Sequence, residues 1–108
     1  MIIHNATFMV RKDLENDLIL WLKEKIGRLE SGNAGMGEGC NPRVSAMREA
    51  GGVSHIHADA ASVAFQVEFP SETTAKIWAE RAFNPLAAEF DEKFGPEGMV
   101  FTSLFEVV

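Results

Sequence analysis

The order of hydrophobic patterns along this 108-residue chain predicts an α+β domain with its elements in the order β-α-β-β-α-β. Three observations carry that expectation. Two long stretches repeat their apolar residues every three to four positions, as helices resting on a core do. Runs rich in β-branched and aromatic residues stand before, between and after those stretches, and several alternate apolar with polar. Glycine and proline clusters punctuate the boundaries.

Residues 2–10 (IIHNATFMV) read as the first strand, with Ile2, His4, Ala6 and Phe8 on one face and Ile3, Asn5, Thr7 and Met9 on the other. Asp13 is suited to cap a helix over about 13–29, whose Leu14, Leu18, Trp21, Leu22, Ile26 and Leu29 share one stripe. From 30 to 42, Gly32, Gly35, Gly37 and Gly39 interrupt small and polar residues with neither period, which predicts a loop. Val44, Ala46 and Arg48 then alternate with Ser45, Met47 and Glu49, a strand over about 43–50 that ends at the turn-forming Gly51-Gly52 pair. Residues 53–61 either extend it or form an irregular arm. The third strand, 62–69, alternates cleanly and sends Val63, Phe65, Val67 and Phe69 to one face. Pro70-Ser71 closes it and opens the second helix, where Ala75, Trp78, Ala79, Ala82, Phe83, Leu86, Phe90 and Phe94 keep a helical period. Pro85 disfavours helical geometry at Asn84, so a kink or break is expected there. After Gly95-Pro96, residues 99–107 read as a closing strand with Met99, Phe101, Phe105 and Val107 on its more apolar face.

Right-handed crossovers place both helices on the same side of a four-stranded antiparallel sheet, the ferredoxin-like arrangement, within a single domain over 1–108. The opposite sheet face is then expected to show Ile3, Asn5, Thr7, Met9, Gln66, Glu68, Val100, Thr102, Leu104 and Glu106. That mixture is too apolar for a fully solvated surface and too polar for a core, and it predicts a homodimer packed through the helix-free face.

Composition narrows the function. Hydrophobic residues make up 46% and charged residues 24%, as in ordinary globular proteins. Ten Lys and Arg are scattered among sixteen Asp and Glu, a net charge of -6 that disfavours a nucleic-acid partner. The one cysteine, Cys40, allows no internal disulfide, and no basic leader or membrane-length apolar run is seen. The expectation is a cytoplasmic protein without a membrane partner.

The opening Met1-Ile2-Ile3 with Asn5 and Thr7, the Gly51-Gly52 turn, Ser62-Val63-Ala64-Phe65-Gln66, Asn84-Pro85-Leu86, Phe94-Gly95 and the ending Thr102-Ser103-Leu104-Phe105-Glu106-Val107 span most of the chain. Together they resemble a family of short bacterial proteins known as a domain of unknown function, DUF4286. The resemblance implies a ferredoxin-like fold of the dimeric α/β-barrel type and supplies no catalytic residue. Two departures stand out: His4 takes a place where the family suggests an aromatic residue, usually Tyr, and the 30–42 and 53–61 segments are longer.

Few residues point to chemistry. His55, His57 and Asp59 recur at every second position, so an extended backbone would project three ligands to one side for a divalent metal; the plainer reading is a solvated arm. No other cofactor is expected. His4, on the face turned toward the helices, is either a hydrogen-bonded core residue or a general base in a pocket near Phe8, Phe65 and Trp21 or Trp78. The glycine-rich loop follows a helix and lacks the lysine of a phosphate-cradling loop. Cys40 reads as a free surface cysteine, with no basic neighbour before Arg43 to activate it. Two functional expectations follow. One is a homodimeric domain that binds a small ligand or a protein. The other is a small dimeric α/β-barrel enzyme, monooxygenase- or isomerase-like, acting on an apolar metabolite near His4 or the His55/His57 pair.

Overall fold

Alternating burial from Ile2 to Arg11 makes β1 (Ile2–Arg11) the strand on which the fold is assembled; the computed structural model describes residues 1–31, 40–48 and 59–108. On one side β1 pairs antiparallel with β3 (Ala60–Phe69), from Ile2 opposite Phe69 to Arg11 opposite Ala60. On the other it pairs antiparallel with β4 (Met99–Glu106), from Ile2 opposite Glu106 to Met9 opposite Met99. The short β2 (Arg43–Ala46) lies outside β3, giving the order β2-β3-β1-β4. With its helices on one face, this is the ferredoxin-like βαββαβ fold that the sequence predicts.

The chain leaves β1 through a 3-10 turn, Lys12–Leu14, into α1 (Glu15–Ser31). Asp13 lies inside that turn and pairs with Arg11 at 3.4 Å instead of capping the helix. The second helix starts at α2 (Glu72–Trp78) with a reciprocal cap: Ser71 Oγ accepts from the Thr74 N–H at 3.2 Å, and Thr74 Oγ1 accepts from the Ser71 N–H at 3.3 Å. It passes through a π turn, Ala79–Phe83, into α3 (Asn84–Phe94). The break expected at Pro85 takes this form: the widened turn precedes a residue that lacks an N–H and whose ring would crowd the carbonyl four positions back. Gly95, at φ +71, ends α3 in a conformation that side-chain-bearing residues avoid.

The core lies between sheet and helices. Ala6, Phe8 and Val10 of β1 and Val63, Phe65, Val67 and Phe69 of β3 are buried beneath Leu18, Trp21, Leu22 and Ile26 of α1 and beneath Ala75, Trp78, Ala82, Phe83, Leu86 and Phe90 of the second helix. Edge-on ring contacts, such as Phe8–Phe90 at 4.8 Å between centroids, knit the layers together.

Several expectations need correction. The register of β4 sets Val100 opposite Phe8 and Leu104 opposite His4, so Val100, Thr102 and Leu104 face the helices while Met99, Phe101, Ser103 and Phe105 face away. This reverses the assignment made from hydropathy. The reason is that α1 and α2 make their main strand contacts with β1, β2 and β3, and along β4 the core takes up Val100 alone among the described residues, so burial hardly selects the more apolar side of that strand. The barrel implied by the resemblance is also absent: the sheet is open and uncurled, with β2 and β4 as its two edges. Cys40 is a buried core residue, not a surface one, and its carbonyl accepts from the Glu68 N–H at 2.7 Å. β2 ends at Ala46, with the pairing carried one step further by Met47 N–H to the Ser62 carbonyl at 2.9 Å. The glycines of the 30–42 loop, the Gly51-Gly52 turn and most of the 53–61 arm lie outside the described residues.

Candidate functional site

The two faces of the sheet offer different surfaces near β4. On the helix side, β4 stands beyond the reach of α2 and leaves a cleft of about 240 Å³ lined by His4, Lys76, Ala79, Thr102, Ser103 and Leu104. His4 is only 4% exposed, and its ring meets Trp78 edge-on at 5.1 Å and Phe83 at 5.0 Å. Among the described residues, two buried side-chain polar atoms have no hydrogen-bond partner, His4 Nδ1 and Trp78 Nε1. They belong to adjoining rings. Removal from water holds the His4 pKa below the ordinary histidine value, outweighing the opposite pull of the residue's own backbone carbonyl on a ring N–H, so the ring is neutral at neutral pH. Lys76 Nζ at the cleft pairs with Glu72 at 2.8 Å, and this contact draws the exposed Glu72 carboxyl below its usual range.

Of the two expectations for His4, a hydrogen-bonded core residue or a base in a pocket near Phe8, Phe65 and Trp21 or Trp78, the structure gives a buried ring against Trp78 that also lines a cleft. Its open side is toward β4. The cleft residues Lys76, Ala79, Thr102 and Leu104 were not legible as a group, because grouping them requires the β4 register. The one available signal was parity, since even-numbered residues of β1 face inward and an antiparallel neighbour must follow them.

The helix-free face divides lengthwise. Along β2, β3 and β1 runs a polar ladder: Arg43 Nε donates to Gln66 Oε1 at 2.9 Å, Gln66 Nε2 to Asn5 Oδ1 at 3.0 Å, and Asn5 Nδ2 to Thr7 Oγ1 at 3.2 Å. Arg43 also reaches Glu68 at 3.1 Å. Along β4 the surface is apolar, with Met99, Phe101 and Phe105 at 52%, 51% and 51% exposure and Met9, Thr7 and Ile3 of β1 directly opposite them. A wider furrow between α1 and α3, bordered by Leu14, Asp17, Leu20, Trp21, Glu24, Lys93 and Phe94, contains neither of the unpartnered buried nitrogens.

The candidate metal ligands are only partly placed. His55 and His57 lie outside the described residues, while Asp59 is an exposed turn residue just before β3 whose carbonyl accepts from the Lys12 N–H at 2.7 Å. Among the described residues, no three His, Cys, Asp or Glu side chains stand together as a metal site would need, and no helix is long and apolar enough to cross a membrane.

No curated protein matches the chain in sequence. Among solved structures it is similar to one titled "De novo designed protein Foldit4", with a TM-score of 0.54 and 14% identity over 99% of this chain and 98% of that one, a likeness of fold alone. The family model described as "Domain of unknown function (DUF4286)" matches residues 1–108. The chain belongs to the DUF4286 family.

Proposed function

We propose that this protein works as a homodimeric domain whose two copies pack through the helix-free faces of their sheets. The observation that carries this reading is the apolar strip Met99, Phe101 and Phe105, half-exposed on a face that no helix of its own chain covers. Side chains of that size on a free surface mark an interaction site.

A second copy suits the strip for two reasons. The first is charge. The chain carries -6 overall, yet on the described part of this face the charged side chains are Arg43 and Glu68, which pair with each other, and Arg11 at the end of β1, which pairs with Asp13 and Glu97. The excess acid lies elsewhere, so two such faces meet without strong repulsion. The second is area. From the spacing and rise of β-strands, the four strands cover about 500 Å² in projection, more once side-chain relief is counted, against the roughly 600 Å² per partner at the lower end of stable interfaces. A two-fold axis along the β1–β4 strip would bury the apolar halves against each other and leave the polar ladder toward the rim. A buried, unpaired Cys40 is compatible with a reducing, cytoplasmic setting.

Isotope-filtered NMR on a mixture of copies, half with labelled methionine methyls and half unlabelled, tests the packing. Contacts between the Met99 methyl of one copy and the Phe101 or Phe105 ring of the other are expected. A dimer without such contacts, or a monomer, would overturn the reading.

A further inference from the structure

We propose that the cleft between α2 and β4 binds a small aromatic carboxylate, with its ring against Leu104 and Ala79 and its carboxylate at Lys76. The inference is independent of self-association, because the cleft opens on the other face of the sheet.

Size comes first. A volume of about 240 Å³ corresponds to roughly eight waters of liquid, or a molecule of about nine non-hydrogen atoms. A single substituted ring fills it. Polarity comes next. Among the lining residues Lys76 is the charged one, and its partner Glu72 is held through an exposed pair one helical turn away, an interaction weak enough to exchange for a ligand carboxylate. Thr102, exposed on the helix side of β4, adds a hydroxyl donor. Leu104, 36% exposed, and Ala79 supply apolar walls.

The third observation is the imidazole. His4 lines this cleft while only 4% exposed, and its Nδ1 has no partner among the described residues. Buried polar atoms are almost always satisfied, and exceptions gather where a protein has another use for them. Among the described residues the two exceptions, His4 Nδ1 and Trp78 Nε1, stand in adjoining rings, and His4 lines the cleft. A carboxylate held in the cleft would give an Nδ1–H donor the acceptor it lacks. Because burial keeps the imidazole neutral, the cleft's positive charge comes from Lys76 alone.

Titration of the labelled full chain with benzoate, followed by amide NMR and run in parallel with uncharged benzyl alcohol, tests the proposal. Benzoate is expected to shift His4, Lys76, Ala79, Thr102 and Leu104 saturably and more strongly than benzyl alcohol. Lys76→Gln should weaken benzoate binding about threefold to fivefold, the scale of an exposed ion pair, and leave benzyl alcohol unchanged. Leu104→Ala should weaken both. Both positions are exposed, so the variants should fold. The proposal is overturned by an absence of saturable shifts up to about 20 mM, the weak end of small-ligand binding. Equal affinity for the two ligands, or shifts centred on Leu14, Trp21 and Phe94 in the other furrow, would also overturn it.

Discussion

Replacing His4 by phenylalanine should stabilise the fold, and the reason lies in what surrounds the imidazole. The ring is buried between Trp78 and Phe83, and its Nδ1 has no hydrogen-bond partner among the described residues. A buried polar group in that state costs about 1–3 kcal/mol. A phenyl ring keeps the aromatic contacts, removes the nitrogen and can direct its extra volume toward the open cleft. His4→Phe is therefore expected to gain about 1–2 kcal/mol at pH 7.5, and each kcal/mol raises Tm by about 4–8 °C in a domain of this size. The pH dependence gives a second readout. Burial depresses the His4 pKa, so between that lowered value and the ordinary 6.5 the unfolded chain binds more protons than the folded one. Stability is then complete above pH 6.5 and falls as the pH drops toward the depressed value, at up to about 1.4 kcal/mol per pH unit. Urea unfolding at fixed protein concentration, followed by fluorescence of the buried Trp21 and Trp78 at pH 7.5, 6.5 and 5.5, measures both effects. A variant destabilised by more than about 1 kcal/mol at pH 7.5, or one with the same acid-side slope as the parent, would refute this account of His4.

Other substitutions probe the scaffold. Gly98→Ala would place its Cβ 2.9 Å from Phe90 Cζ, so the fully packed ring must move; a loss of about 1–3 kcal/mol in urea unfolding is expected. Gly27→Ala has no atom within 4 Å of the new Cβ and lies within α1, so it should raise stability by about 0.5–1 kcal/mol, seen as a higher Tm. Ser71→Ala removes the reciprocal cap of α2 and should cost about 1 kcal/mol, with faster amide exchange at Thr74 as the local sign.

The elements that rest on the shared core could be read from the sequence. Leu18, Trp21, Leu22 and Ile26 repeat because α1 lies on the sheet along one stripe, and Val63 to Phe69 alternate because β3 is covered on a single face. Pro85 announced a disturbance whose form, a π turn, depends on Trp78 and Phe83 both being held in the core on either side of it. β4 misled because hydropathy locates a core only where one exists. With Val100 alone of its described residues packed against the core, the strand keeps its larger apolar residues on the face away from the helices, and only the ladder with β1 fixes which residues those are. The same ladder assembles the cleft, so Thr102 and Leu104 became visible as neighbours of His4 together with the apolar strip on the reverse side. The buried position of Cys40 was hidden for a related reason: it follows the glycine-rich stretch in sequence but packs against the sheet through its pairing with Glu68.

The molar mass of the full chain in dilute buffer, measured by light scattering across a concentration series, bears most directly on the proposal that the helix-free face pairs with its own copy. The parent protein should show twice the 11.9 kDa of one chain. Phe101→Asp, which sets a carboxylate in the apolar strip, should return the single-chain mass, while Leu20→Lys, on an exposed position of α1, should leave the dimer intact. A parent chain that stays at 11.9 kDa at all concentrations, or a Phe101→Asp variant that remains a dimer, would contradict it.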